Sequence, residues 1–223
     1  MLYAIDKNLG NKVGIKQAIN DGGYYKCPVC GDDVIVRNGD VRIPHFAHKS
    51  LRICDSWYST ENAMSEWHRD WQSQYAQRYR EVPVEINGEK HIADVQFGNY
   101  VVEFQHSPMA ADEFMKRTRF YTQKYKLIWV FDFIDISNYD EDYSAPLQTR
   151  YGEFDKFIWK NQKHTFEEFN PRDWYGKVYL VFEIYSRKYG TMLKQVTWCA
   201  EDDYRYDYKR FSTQDFKLKT YPY

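Results

Sequence analysis

The sequence predicts an α/β protein, a mixed sheet flanked by helices, with a small Cys/His module on a β-hairpin ahead of it. Three observations carry this. Between residues 82 and 133, strand and helix periodicities follow one another in the order strand, hairpin, helix, apolar run. The run Lys126 to Phe133, with LIWVF at its centre, is continuously apolar, as a strand covered on both faces must be. Upstream, Cys27-Pro-Val-Cys30 precedes a hairpin signal and then His48 and Cys54.

Taken in order, Leu2 to Ile5 reads as a short strand, followed by a Gly-rich turn and a polar segment ending at Asp21-Gly22-Gly23. Val34 to Arg37 and Asp40 to Ile43 flank Asn38-Gly39, which predicts a hairpin with Cys30 opposite Ala47, beside His48. From about residue 59 to 80 an amphipathic helix is expected, because Met64, Trp67, Trp71, Tyr75 and Tyr79 recur at spacings of three and four; Ser59 or Thr60 would cap it. Val82 to Ile86 alternates as a strand, and Asn87-Gly88 turns it into the strand that holds Asp94. Residues 109–125 read as a second helix, with Phe114, Thr118 and Tyr121 or Tyr125 on one side. Further strands are expected at 177–185 and 192–199, the second holding Cys199 as an ordinary strand residue.

Composition narrows the function classes. A chain of 223 residues suits one sizeable domain plus a small appendage. With 28% charged and 43% apolar residues, wholesale disorder is excluded. A net charge of −1 gives no global pull toward DNA or acidic membranes, so any nucleic-acid binding must come from local clusters. No apolar stretch is long enough to span a bilayer, and MLYAIDKNLGNK lacks a signal-peptide core. Cysteines without a secretory signal read as metal ligands or thiols rather than disulfides, and the expected compartment is the cytoplasm.

Gly98-Asn99 joins Ile92 to Phe97 with Tyr100 to Gln105 through a two-residue loop. The register opposes Phe97 to Tyr100, Val95 to Val102 and Asp94 to Glu103. Alternation puts Ala93, Val95, Phe97, Tyr100, Val102 and Phe104 on a core face, and Ile92, Asp94, Gln96, Val101, Glu103 and Gln105 on the other. Directly opposed carboxylates repel, and a hard cation between their oxygens removes the penalty. Asp94 and Glu103 are therefore expected ligands of Mg²⁺. Gln105, diagonal to Asp94, is placed to position a water or a phosphoryl oxygen. His68, on the flank of the helix's apolar face, is the expected general base. Glu66 lies nearly opposite Met64 and Trp71, so it faces solvent unless the helix starts only at Ser65. His91 and His106 are expected to pack or hydrogen-bond as a pair. Arg117 and Tyr121 either brace the sheet, the favoured reading, or reach a phosphate. Lys116, Arg119, Lys124 and Lys126 form either a solvated helix face or a phosphate track.

Cys-x2-Cys, 17 residues, then His-x5-Cys fits a closed Cys₃His zinc site of Cys27, Cys30, His48 and Cys54, with His45 as competitor to His48. Such a site contributes folding free energy rather than chemistry.

The ordered set Cys27-Pro-x-Cys30-Gly, Pro44-His-Phe-Ala-His48, Cys54, Met64-Ser-Glu-Trp-His68-x-x-Trp71-Gln72, His91-Ile-Ala-Asp94-Val and Glu103-Phe-Gln-His-Ser107 resembles the competence protein CoiA-like family over roughly residues 20 to 133. The resemblance implies a zinc-finger-like module followed by a nuclease of the PD-(D/E)XK, restriction-endonuclease-like fold. Asp94 matches the PD aspartate, Glu103 the (D/E) position and Gln105 the usual lysine, while Glu66 and His68 match an extra acidic or His position on the helix. The resulting expectation is a module over 1–57, a nuclease core over 58–136 and an aromatic, strand-rich region over 137–223 packed on the core. The expected function is a Mg²⁺- or Mn²⁺-dependent nuclease, with DNA favoured over RNA, that processes incoming or foreign DNA in competence, recombination or defence. The alternatives are a non-catalytic nucleic-acid-binding zinc protein with a degenerate nuclease fold, and a subunit whose aromatic C-terminal region contacts a protein partner.

Overall fold

The computed structural model describes residues 1–40, 43–50, 54, 55, 57, 64–107, 109–132, 169, 171–186, 190–198 and 206–211. It is a mixed α/β protein that divides into two compact units, Met1–Gln96 and Phe97–Tyr223. The candidate caps Ser59 and Thr60, and Cys199, lie outside the described residues.

The first unit opens with an antiparallel sheet in the order β2-β1-β3-β4-β5, built from β1 (Tyr3–Asp6), β2 (Lys12–Gly14), β3 (Tyr25–Lys26), β4 (Asp33–Arg37) and β5 (His45–His48). The short helix α1 (Ile15–Asp21) lays Ile15 and Ala18 on a core shared with Ala4, Val13, Tyr25, Val34 and Phe46. The hairpin register differs from expectation: Ile35, not Cys30, lies opposite Ala47, and Val34 lies opposite His48. The returning strand begins at His45, after Pro44, instead of directly after Asn38-Gly39. Pairing Val36 with Phe46 puts the largest apolar side chain of this stretch, 2% exposed, into the core, and that gain overrides the turn dipeptide.

Helix α2 (Glu66–Ser73) is shorter than the apolar periodicity suggests, and the next strand, β6 (Arg80–Ile86), already begins at Arg80. The Arg80 guanidinium explains the stop: it donates to the carbonyls of Ser73 (2.6 Å) and Tyr75 (2.5 Å) and to the Tyr3 hydroxyl (3.0 Å). Those carbonyls have no partner inside a terminating helix, so a cation at this point completes the end. Tyr75 is buried from the turn that follows, which is why it mimics a helical position. Strand β6 pairs with β7 (Glu89–Phe97) through Ile86 opposite Glu89. Asn87 (φ 51°) and Gly88 (φ 82°) take the two left-handed positions that a type I′ turn requires.

Glu81 anchors the chain's first strand. It is 2% exposed, and its carboxylate accepts the amides of Leu2 (2.9 Å) and Tyr3 (3.2 Å). Its φ of 43° is costly for a side chain of this size, about 1–3 kcal/mol, and the two amide bonds offset that strain. Lys12 approaches the same bend, donating to the carbonyls of Arg80 and Glu81.

The second unit begins at a turn in which Phe97 stacks on Tyr100, ring centroids 5.7 Å apart, across Gly98 at φ 49°. Positive φ at the first central residue is the type II′ pattern. Strand β8 (Tyr100–Gln105), helix α3 (Ala111–Thr122) and strand β9 (Lys126–Asp132) form a β-α-β unit with parallel strands. Strand β9 is buried from Leu127 to Phe131, as its apolar run predicts. Helix α3 covers it with Phe114, 5.2 Å from Trp129 between ring centroids, and with Thr118, whose hydroxyl oxygen accepts from the Trp129 indole at 3.1 Å. Strand β10 (Val178–Ser186) adds parallel to β9, followed by antiparallel β11 (Gly190–Trp198) and β12 (Tyr206–Phe211). Strand β12 had no expectation in the sequence.

Burial pulls the Lys12 ammonium down to about 8 from its ordinary 10.5, with Glu81 opposing and Arg80 assisting the fall. The unfolded chain therefore holds more protons between those values, and the stability of the first unit rises with pH across the interval. The expected rise in urea-unfolding free energy from pH 8 to pH 10 is on the order of 1–3 kcal/mol, and Lys12→Met removes it. An equal rise in the variant would show that Lys12 is not its source.

Candidate functional site

The first site is a cluster of Cys27, Cys30, His48 and Cys54, whose ligand atoms all lie within 4.8 Å of one another. Cys27 Sγ is 3.6 Å from Cys54 Sγ, and Cys30 Sγ is 3.3 Å from His48 Nε2. Zinc bonds of ≈ 2.3 Å to sulfur and ≈ 2.0–2.1 Å to nitrogen give a tetrahedron with edges of roughly 3.5–3.8 Å. The sulfurs are too far apart for a disulfide and close to those edges. The local chain explains the approach. The Gly31 amide donates to the Cys27 carbonyl (3.0 Å), the Cys27 amide to the Asp32 carbonyl (2.8 Å), and the Val29 amide to Cys27 Sγ (3.4 Å). Gly31 sits at φ 77°, where a β-carbon would be strained. Strand β5 then carries His48 to the cluster, whereas His45 turns its Nδ1 to the Ile43 carbonyl at 2.8 Å.

Burial, then the neighbouring Cys27 sulfur, push the Cys54 thiol well above its ordinary range, and burial likewise raises Cys30. Clustered sulfurs resist becoming thiolates together; a divalent cation removes that resistance and releases their protons. The cluster can hold a metal such as zinc.

The second group surrounds Asp94. Ser65 caps α2, its hydroxyl accepting the His68 amide at 3.1 Å, so the helix starts at Glu66. His68 and Gln72, one turn apart, then point to the same partner. His68 Nε2 lies 3.0 Å from Asp94 Oδ1, and Gln72 Nε2 donates to the Asp94 carbonyl (3.3 Å) and to Oδ1 (3.4 Å). Asp94 remains partly exposed, with 17% of its side chain accessible, while Gln72 is 1% exposed. The structure thus unites His68 and Asp94 and adds Gln72, whose signal in the sequence was its place four residues after His68. Glu66 is an exposed acid in the first helical turn, where the helix dipole favours it.

In the second unit Glu103 is 3% exposed, with Arg117 Nη1 3.6 Å from its Oε2. Arg117 also pairs with Glu113 one turn back, so it braces strand β8 from α3. The Gln105 side chain donates to the Ser107 carbonyl. His91 and His106 each meet carboxylates within their own unit. His91 Nδ1 meets Asp55 Oδ1 and its Nε2 meets Glu89 Oε1, both at 2.8 Å, and His106 Nδ1 meets Asp132 Oδ2 at 2.6 Å. Lys116, Arg119 and Lys124 are exposed on and just after α3. Among the described residues no helix is long and apolar enough to cross a membrane.

Metal analysis of purified protein should separate the two histidines. His48→Ala is expected to lose at least half of the bound metal and to unfold at lower temperature, while His45→Ala keeps both. The reverse pattern would assign the fourth ligand to His45.

The model described as the competence protein CoiA N-terminal domain matches residues 11–56, which hold all four ligands of the cluster. The model described as the competence protein CoiA nuclease-like domain matches residues 92–219, which hold Asp94 and Glu103. The competence protein CoiA of Bacillus subtilis (strain 168) is 31% identical over 110 residues, an alignment covering 45% of this chain and 29% of the relative. The chain thus matches less than a third of that relative's length. No solved structure matches. Since the nuclease-like model spans more than half of the chain, and the N-terminal model precedes it in order, the chain belongs to the competence protein CoiA family.

Proposed function

We propose that this chain is a divalent-metal-dependent nuclease that cleaves DNA, in the processing of incoming or foreign DNA, and that its Cys/His cluster is a structural zinc site. The observation that carries the nuclease reading is the contact of His68 with Asp94 at the edge of a nuclease-like domain. A base and a ligand are thereby held together before any substrate arrives.

In this reading Asp94 and Glu103, opposed in the two-residue-loop register of the sequence, hold Mg²⁺ or Mn²⁺ through hard carboxylate oxygens. When bound, the ion supplies Lewis acidity toward the phosphoryl oxygen and acidifies the attacking water. His68 would accept a proton from water through the ring nitrogen that Asp94 does not hold, its Nε2 being fixed 3.0 Å from the Asp94 carboxylate and its backbone by the Ser65 cap. Gln72 holds Asp94 against rotation, so one carboxylate oxygen keeps its direction. Gln105 donates to a water or a non-bridging oxygen after leaving the Ser107 carbonyl. It cannot lose a proton at neutral pH, so it orients and does not act as base. Arg117 limits the repulsion between Glu103 and an arriving phosphate. Exposed Lys116, Arg119 and Lys124 give the backbone a sequence-independent track.

A second reading, a nucleic-acid-binding protein without cleavage, is favoured by one observation: the usual lysine position holds Gln105. Plasmid and single-stranded DNA incubated with Mg²⁺ or Mn²⁺ separate the two. Cleavage by the wild type is expected to fall at least about 100-fold in Asp94→Ala, beyond the ~10–100-fold loss usual for a group that only supports a ligand. Salt-sensitive binding without cleavage, unchanged in Asp94→Ala, would establish the second reading. Neither binding nor cleavage would overturn both.

A further inference from the structure

Asp55 follows Cys54 directly in the chain and is 3% exposed. Its Oδ1 accepts the Trp57 amide at 2.9 Å and meets His91 Nδ1 at 2.8 Å, while its Oδ2 accepts the Ile92 amide at 2.8 Å. The Trp57 ring lies flat on the His91 ring, centroids 3.2 Å apart and planes 6° from parallel. Glu89 closes the far side of the imidazole at 2.8 Å. One carboxylate next to a metal-binding cysteine is therefore bonded to two consecutive residues of β7, the strand that two residues later presents Asp94.

Neither the nuclease reading nor the metal cluster by itself uses this arrangement. A buried carboxylate adds little stability over an apolar residue of its size, whereas directional bonds fix a position. The Ile92 amide would otherwise need a strand partner or water. Asp94 stands roughly 7 Å further along the strand, on the same face as the Ile92 side chain. Displacement of Cys54 passes to Asp55 through one peptide unit, and from Asp55 to the Ile92 backbone through one hydrogen bond.

We infer that Asp55 is a positioning residue which couples metal occupancy of the Cys/His cluster to the order of the Asp94-bearing strand. The cluster then acts on β7 as a clamp, and loss of its ion releases Asp55 and loosens His91 and Ile92. The consequence for cleavage rests on the nuclease reading; the coupling does not.

The test is amide hydrogen exchange on the full chain, read at Ile92 and across Glu89–Phe97, with the zinc-loaded protein, the chelated protein, Asp55→Ala and Asp55→Asn. Chelation of the wild type is expected to speed exchange at Ile92 by about tenfold or more, while strand β9 keeps its protection. Zinc-loaded Asp55→Ala should exchange at Ile92 as the chelated wild type does, with full metal content, and chelation should then add little. Asp55→Asn keeps one acceptor oxygen, so it should recover part of the Ile92 protection and guards against an alanine variant that fails to fold. Where the wild type cleaves DNA, Asp55→Asn should lower kcat and leave KM within about twofold. Ile92 exchange that ignores both chelation and the Asp55 variants overturns the coupling, whether or not the protein cleaves. Coupling without any cleavage would overturn only the nuclease reading.

Discussion

A carboxylate leaves water only where donors replace the water, because an unpaired buried charge costs more than most folds can supply. Among the described residues Glu81, Asp55 and Glu103 are buried in this way and Asp94 partly so, and these acids tie the first strand and helices α2 and α3 into place. Glu81 gathers the amides of Leu2 and Tyr3 and so seats β1. Asp55 gathers Trp57, His91 and Ile92. Asp94 draws α2 inward through His68 and Gln72, and Glu103 draws α3 through Arg117. Burial opposes the charge of Asp55 more than any other single influence, yet its three donors together hold its carboxyl below the usual range. The apolar cores around Phe46 and Trp129 supply cohesion without direction; the acids supply the direction.

The same condition separates the two candidate sites by chemistry. Around the cysteines the local problem is too many soft donors that resist ionising together, which suits a borderline-soft cation such as zinc. Around Asp94 the groups are carboxylate, imidazole and amide, partly open to solvent. One site offers four clustered ligands. The other keeps accessible surface at its acid.

Most of the elements were legible in the sequence, and the reason is local. Asn87-Gly88 and Gly98-Asn99 need left-handed backbone that few other pairs supply, so their flanking strands announce themselves. The LIWVF run is too apolar for anything but a covered strand. The gathering of Cys27, Cys30, His48 and Cys54 into one cluster was legible from spacing, although the register expected to deliver it was not. What stayed hidden was tertiary. The end of α2 depends on Arg80, seven residues beyond the last helical position. The Asp55 partnership spans 36 residues, and nothing in the strand pattern of His91 names its acid. Gln72 was visible only as a neighbour of Trp71 until the helix face was placed. Strand β12, polar and tyrosine-rich, lacks the apolar alternation that marks its neighbours.

The hold of Glu81 on Leu2 reaches across 79 residues, and this sets a schedule for synthesis on the ribosome. The first strand emerges early but cannot reach its anchor until α2 and the bend at Glu81 have followed it out. Cys27 and Cys54, by contrast, are separated by only 27 residues, so the metal cluster can close while the anchor is still in the exit tunnel. Vectorial emergence thus makes assembly of the Cys/His cluster the early event and seating of the first strand on Glu81 the late one. Until the bend at Glu81 emerges, the first strand is held only by its neighbours β2 and β3.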